Sequence, residues 1–188
     1  MRNRLAVIAV YVLLAGCANV RNGLADVAMA FYRVPGLAPM PMSFSSEEGA
    51  QTFRIEPGKA GVAVDLQMAL VQGEIRLIAE VENGGREPVR YDLKRGAVST
   101  CGGARLELVA VEDDPSHRPT AAERSGEPYR AGVREIPGGE RDVVTRRYRL
   151  ADREAAAGPR QLERLDLDDE LAVGERRQPV KVRFEKIQ

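Results

Sequence analysis

Residues 74–82 read EIRLIAEVE, and residues 83–85, which follow them, read NGG. Every second side chain of the first segment, from Ile75 to Val81, is apolar, and the side chains between them are mostly polar. Because successive side chains of a β-strand point to opposite faces, this alternation predicts a strand with one buried face and one solvated face. The residues NGG predict its end, since Asn and Gly accept positive φ in turns.

The same period of two recurs on both sides of this segment. It predicts strands at residues 62–68, 89–93, 105–111, 129–136, 143–150, 162–167 and 180–184, and an edge strand at 52–55. Pro137-Gly138-Gly139 lies between two of these strands and predicts a hairpin turn. Helical patterns between the strands are absent, which is evidence against a parallel α/β sheet. Seven to eight short strands with turn signals between them predict an all-β fold, an antiparallel β-sandwich.

Two of the turns resemble elements of bacterial immunoglobulin-like domains. Asn83-Gly84-Gly85-Arg86-Glu87-Pro88-Val89 is similar to the "N-x-G-x-x-P-V" ending with which a strand of those domains passes into the next one. Ile136-Pro137-Gly138-Gly139-Glu140, just before another strand, is similar to the same class. The resemblance covers residues 61–188 and implies an immunoglobulin-like sandwich, although the chain has no Trp and no cysteine pair for an inter-sheet disulfide.

The amino-terminal residues predict an export signal. Met1-Arg2-Asn3-Arg4 is basic, and the ten apolar residues 5–14 come next, too few for the roughly 20 that cross a bilayer as a helix. Leu14-Ala15-Gly16-Cys17 completes the pattern and resembles the lipobox of bacterial lipoproteins. In that family the thiol, here that of Cys17, takes a diacylglycerol; the signal is then cut off after Gly16, and the new amino terminus is acylated. The alternative is a plain secretory signal with an accidental cysteine.

The lipobox resemblance implies three parts for the chain. Residues 1–16 form the signal peptide with its short signal helix, residues 17–60 a lipid-anchored tether, and residues 61–188 the β-sandwich domain. Within the tether, Leu24 to Phe31 has the spacing of a short amphipathic helix, and the prolines of residues 34–41 favour an extended, polyproline-like spacer. In Gram-negative lipoproteins an Asp after the lipidated cysteine usually marks retention in the inner membrane. Ala18 therefore favours the outer membrane, facing the periplasm.

The charge balance bears on the class of partner. The 188 residues carry 28 basic and 28 acidic side chains, and loss of Arg2 and Arg4 with the signal would leave the chain slightly acidic. Such a chain has no bulk field that attracts nucleic acid or anionic lipid. We therefore expect contact with the membrane through the covalent lipid on Cys17, a protein partner in the cell envelope, and no nucleic acid.

Lipidation of Cys17 leaves Cys101 without a partner in the chain, as a free thiol. Free cysteines are commonly buried as small apolar residues, so we expect Cys101 to be buried. An intermolecular disulfide or a reactive thiol is the alternative in an oxidising compartment.

The sequence contains no motif for a metal or another cofactor. His117 is the only histidine, and a cation shared with Asp113 and Asp114 is one interpretation of its loop. One imidazole is not a zinc signature, however, and a solvated loop is the simpler interpretation. The acidic run at 166–170 lacks the Gly and the bidentate Glu of an EF-hand loop, so we expect a solvated hairpin edge there.

Signals for catalysis are equally sparse. There is no phosphate loop, nucleophile elbow or dinucleotide fingerprint, and a catalytic triad would depend on His117. Arg147 and Arg149 share one face of the predicted 143–150 strand, where a glycan or phosphate contact is one interpretation and outward-facing charge the commoner one. We therefore predict no catalytic residues and a non-enzymatic protein-interaction module. The alternatives are a small-ligand or metal-binding protein that uses the loop at 113–128, and a hydrolase with a carboxylate pair.

Overall fold

The computed structural model describes residues 29–40, 50–58, 61–113, 132–150 and 162–187. Eleven strands lie in these residues: β1 (Met29–Arg33), β2 (Phe53–Ile55), β3 (Val62–Val71), β4 (Glu74–Asn83), β5 (Val89–Asp92), β6 (Ala97–Thr100), β7 (Glu107–Asp113), β8 (Val133–Ile136), β9 (Arg141–Arg149), β10 (Arg164–Val173) and β11 (Arg176–Lys186). The strand expected at each predicted segment is present. Two strands, β1 and β6, were not predicted from the sequence.

All strand pairs are antiparallel, which confirms the predicted all-β, antiparallel class. The pairing order is β7-β9-β4-β3-β1-β11-β10-β5-β8, with β2 added on β3 and β6 added on β10. Along this order the sheet curls through 347°. Its two end strands, β7 and β8, are therefore brought to the same side of the molecule.

Strand β1 connects two halves of this curled sheet. Its residues 29–31 pair with β3, whereas Tyr32 and Arg33 pair with β11. We call β2, β3, β4, β7 and β9 the first half, and β5, β6, β8, β10 and β11 the second half. Their inner faces enclose one core, to which the first half contributes residues such as Leu66 and Leu77 and the second half residues such as Leu165 and Phe184.

Strand β4 has the burial that its alternation predicts. Ile75, Leu77, Ala79 and Val81 are at most 1% exposed. Its neighbour β3 differs from the prediction of a half-buried strand, because both of its faces are covered. Asp65 and Gln67 point away from the core and are still buried, and each has a polar partner from the β2 side. Asp65 accepts two hydrogen bonds of 2.8 Å from Arg54, and Gln67 donates one of 2.8 Å to Thr52.

The segment predicted to be a tether contributes to the sheet where it is described. Residues 29–31, the described part of the predicted helix, belong to β1 instead, because the backbone groups of this strand pair with both β3 and β11; residues 24–28 lie outside the described residues. The side chain of Tyr32 is fully buried in the core and donates a hydrogen bond to the carbonyl oxygen of Leu162. The polyproline-like spacer is replaced by a tight turn, in which Gly36 has a φ of 81° and Leu37 N–H bonds the carbonyl of Val34. The edge strand predicted at 52–55 is confirmed as β2.

The predicted hairpin at Pro137-Gly138-Gly139 is wrong in one respect. The chain does turn there, but β8 pairs with β5 of the second half, whereas β9 pairs with β4 and β7 of the first half. The turn therefore carries the chain from one half of the sheet to the other. Local turn chemistry determines that the chain reverses, but it does not determine which strands then pair.

Candidate functional site

A buried cluster of polar side chains links the two halves across the core. Arg146 lies on β9 of the first half and is 0% exposed, yet its Nη2 is 2.6 Å from Oδ2 of Asp169 on β10 of the second half. The same Nη2 donates a hydrogen bond to the hydroxyl of Tyr91 on β5, whose ring centroid lies 5.2 Å from the guanidinium carbon. The Tyr91 hydroxyl in turn donates to Asp169 over 2.8 Å. Three strands from both halves are thus tied together by one ion pair and one phenol.

The electrostatics of this cluster keep the cation charged and the phenols neutral. Burial by itself would lower the pKa of Arg146, but the Tyr91 and Asp169 oxygens beside it outweigh that effect and raise it. Burial raises the pKa of Tyr91 well above its ordinary value, and it raises the pKa of Tyr148 to about 12. The guanidinium therefore stays charged and the two phenols stay neutral near neutral pH, which suits a structural tie between the halves.

Gly96 makes room for the guanidinium. A Cβ at this position would coincide with Nη1 of Arg146 and would lie 2.8 Å from Oδ2 of Asp169. The carbonyl of Gly96 also faces the hydroxyl of Tyr148 at 3.4 Å. The short connection between β5 and β6 therefore passes directly over the ion pair, and a residue without a side chain is required there.

Asn83 joins the two turns that resemble immunoglobulin-like domains. Its side chain is fully buried, its Nδ2 donates 2.9 Å hydrogen bonds to the carbonyls of Glu87 and Ile136, and its Oδ1 accepts one of 3.0 Å from Gly85. Its backbone N–H bonds the carbonyl of Glu140. A single residue at the end of β4 thus holds the β4–β5 connection against the β8–β9 connection.

The predicted acidic run at 166–170 divides between two faces of β10. Asp169 points inward to Arg146, whereas Asp166, Asp168 and Glu170 point outward. Each outward carboxylate contacts a basic side chain of β11: Asp166 contacts Arg183 at 2.8 Å, Asp168 contacts Lys181 at 3.2 Å, and Glu170 contacts Arg177 at 2.8 Å. The run is therefore a ladder of ion pairs along a hairpin. Among the described residues no group of three or more His, Cys, Asp or Glu side chains is arranged to hold a metal ion.

Cys101 is exposed, so the prediction that it is buried is wrong. It follows β6 on a turn, where its N–H bonds the carbonyl of Arg164. The residue lines a cleft of about 810 Å³ together with Arg33, Glu163, Arg164, Glu185, Lys186 and Ile187. The two arginines of this cleft are both held by Glu185, at 3.7 Å and 3.3 Å. The turn position explains the exposure, because the hydrogen bonds that hold this turn come from backbone groups and the hydroxyl of Thr100 and do not require the Cys101 side chain to be covered.

Exposed apolar side chains concentrate on the end strands of the curled sheet. Five large hydrophobic side chains are exposed in the described part of the chain. Val109 and Val111 lie on β7 and Val133 lies on β8, and the other two are Met29 and Leu37. Within the described residues β7 pairs only with β9, and β8 only with β5. We call these two strands the open edge. Residues 114–131 connect them along the chain and lie outside the described residues.

Strand β7 is the longer part of the open edge. It contains seven residues, with a bulge at Val109, where the register against β9 shifts between Leu108 and Ala110. A bulge increases the local twist and interrupts regular pairing. Glu107 and Glu112 flank the two valines, and their side chains are 63% and 51% exposed. Within the described residues β7 is therefore paired along one edge only, and its exposed valines lie between two exposed glutamates in the sequence.

Several predicted site residues fall outside the described part of the chain. These are Gly16, Cys17, Asp114 and His117, together with most of the loop at 113–128. Within the described residues no helix has the length and apolar character that a bilayer crossing requires. Arg147 and Arg149 lie on the outer face of β9, as their alternation predicts, and contact glutamates of the neighbouring strands.

Sequence reasoning missed Arg146 and Asp169 as a pair, although a signal was present. Asp169 is in phase with Leu165, Leu167, Leu171 and Val173, and Arg146 is in phase with Val144 and Tyr148. A charged residue at an apolar position of an alternating strand must find a partner of opposite charge across the core, since an unpaired buried charge is very costly. A search for two such residues of opposite sign would have identified the pair.

No model of a protein family matches this chain, and a search of curated proteins found no match to it.

Proposed function

We propose that this protein is a lipid-anchored module of the bacterial cell envelope that binds a protein partner and has no catalytic activity. The observation that carries the proposal is the open edge, a sheet end with exposed valines and unshared backbone hydrogen-bonding groups in the described residues. A strand with one free edge is a ready acceptor for an extended segment of another chain.

The lipobox supports a position close to a membrane. Cys17 precedes Met29, the first residue of β1, by twelve residues. Whatever their conformation, twelve residues span at most about 43 Å at roughly 3.6 Å each. A lipid on Cys17 would therefore hold the domain within this distance of the bilayer, where a high local concentration compensates for a weak affinity. Ala18 favours the outer membrane in this proposal.

We further propose that the two halves form a variant of the immunoglobulin-like sandwich. Asn83 supports this, because it joins the two turns on which the resemblance rests. The buried Arg146–Asp169 pair would take the place of the inter-sheet disulfide as the tie between the halves.

Photo-crosslinking in intact cells tests the proposed function. A photoreactive amino acid replaces Val109 on the open edge, or Asp168 on the ladder of ion pairs as the matched control, in the full-length chain. We expect a discrete protein adduct from position 109 that is absent at position 168 and lost when Cys17→Ser is added. Adducts of equal yield at both positions, or none at either, would exclude an interaction at the open edge.

A further inference from the structure

Strand β7 contains acidic residues but no basic one. Its sequence is ELVAVED, in which Glu107 and Glu112 flank the exposed Val109 and Val111. The basic side chains nearest to it, Arg147 and Arg149, lie one strand further in, on β9, and contact these glutamates from that side. A strand added on the free edge would lie about 5 Å from β7, the same spacing as β9, and its side chains would reach the carboxylates from the open side.

From this charge pattern we infer that the open edge accepts, as an added strand on β7, an extended protein segment with alternating apolar residues and a basic residue at each end. In the register with β9, Glu107 and Glu112 lie on the outer face of β7, and Leu108 and Val111 lie on its inner face. The basic side chains would lie beside the two glutamates, and the apolar ones beside Leu108 and Val111 on the opposite face. This inference rests on the proposed function and specifies the partner's chemistry.

A second copy of this chain is a poorer occupant of the same edge. It would bring another strand with three acidic residues and no basic one to the seam. Like charges on neighbouring strands oppose pairing, and the bulge at Val109 interrupts the regular ladder that self-pairing would need. The edge thus selects against its own copy and in favour of a segment of opposite charge.

A peptide titration of the full-length protein, purified in detergent, tests this. The probe is a heptapeptide with lysine at its second and sixth positions, valine at its third and fifth positions and threonine elsewhere; its partner has glutamate in place of both lysines. Two opposite-charge pairs across neighbouring strands predict a preference of roughly two- to thirty-fold for the lysine peptide. Nuclear magnetic resonance shifts of the β7 amides report the binding at millimolar peptide.

The charge-reversed protein provides the decisive comparison. Glu107→Lys combined with Glu112→Lys should invert the preference, so that the glutamate peptide binds better. Asp168→Lys combined with Glu170→Lys makes the same charge change on the ladder of ion pairs and should leave the preference as it is. Circular dichroism verifies that both variants fold.

Modified peptides separate strand addition from simple charge attraction. One lysine peptide carries N-methyl groups on both valine amides, and another carries one on the central threonine amide. The N–H groups of the two valines point to one edge of the peptide strand, and the N–H of the central threonine points to the other. Because only one edge can face β7, methylation on that edge should abolish binding, whereas methylation on the other edge should not.

Equal affinity for both charge types, binding that neither methylation pattern affects, or a preference that follows the control variant would overturn the inference. If it fails while the adduct at position 109 persists in cells, the protein-binding function holds and the partner's chemistry is different.

Discussion

Nη2 of Arg146 lies 2.6 Å from Oδ2 of Asp169, and this contact joins the two halves of the sheet at a point closed to solvent. The two residues come from strands β9 and β10, which belong to different halves and do not pair with each other. A buried ion pair is costly to break, because removal of one partner leaves the other as an unpaired buried charge.

Removal of one member of this pair should therefore destabilise the protein strongly. We expect Arg146→Ala to lower the free energy of unfolding by about 3–5 kcal/mol. The double variant with Arg146→Met and Asp169→Leu should lose clearly less stability than its two single variants lose together, because it leaves no unpaired buried charge. Urea unfolding followed by circular dichroism measures all four proteins. Arg149→Ala, on the exposed face of the same strand, is the control and should change stability by less than about 0.5 kcal/mol. Additive single and double changes would show that the pair is not coupled.

Gly96 should tolerate no side chain while Arg146 is present. A Cβ would overlap the guanidinium and crowd Asp169 Oδ2 at 2.8 Å, so we expect Gly96→Ala to lower the midpoint of thermal unfolding by several degrees or more. Gly102→Ala is the matched control, because its Cβ would meet only Thr100 Oγ1 at 3.7 Å. In the Arg146→Met background the cost of Gly96→Ala should shrink. A cost that is the same in both backgrounds would contradict the packing described for Gly96.

The amide of Asn83 should matter more than an ordinary turn residue. Asn83→Ala removes three side-chain hydrogen bonds and leaves the buried carbonyl of Ile136 without that donor, which predicts a loss of about 2–4 kcal/mol. Asp92→Ala, which removes one exposed bond to the N–H of Lys94 and a surface ion pair of 3.3 Å with Arg95, should cost far less. Chemical denaturation of the two variants beside the wild type measures this difference, and similar losses for both would argue against a special role for Asn83.

Much of the fold is predictable wherever one face of a strand is buried and the other is solvated. β4 and β9 follow their alternation, because a shift by one residue would expose every apolar side chain. The prediction fails where partners from distant strands decide the outcome. Asp65 is buried on the outer face because Arg54 lies beside it, and β8 pairs with β5, although the sequence suggests a hairpin with β9.

The open edge illustrates a different limit of sequence reasoning. Valines at positions 109 and 111 look like ordinary core residues of a strand, and only the pairing order shows that β7 ends the sheet. Conversely, the resemblance to a lipobox is visible in the sequence alone, since it depends on four consecutive residues, Leu14 to Cys17. A local motif can be recognised in this way, whereas the side of the molecule on which a strand is left free depends on its global topology.

Alkaline pH should destabilise the fold through its buried tyrosines. The pKa of Tyr148 is about 12 in the folded protein, and 10.0 is its ordinary value, so the folded chain retains a proton that the unfolded chain loses. The stabilisation is fully present below about pH 10, falls as the pH rises towards 12, and amounts to about 3 kcal/mol for this residue. Burial shifts the pKa of Tyr32 and Tyr91 in the same direction, which steepens the decline. Unfolding free energies measured between pH 8 and pH 12 should fall less steeply for Tyr148→Phe, and a pH dependence identical to that of the wild type would contradict its assignment.

The two cysteines provide a matched test of the lipid anchor. If Cys17 is the lipidated residue, cells fed a radioactive fatty acid should label the wild type and Cys101→Ser equally, and they should not label Cys17→Ser. The unlabelled variant should retain its signal peptide, migrate more slowly on a gel and leave its normal membrane fraction, while circular dichroism of the purified protein still shows a β-rich fold. Cys101 is exposed, so a maleimide should react with it in the folded Cys17→Ser protein. Labelling that persists in Cys17→Ser, or cleavage that does not depend on this residue, would show that the lipobox interpretation is wrong.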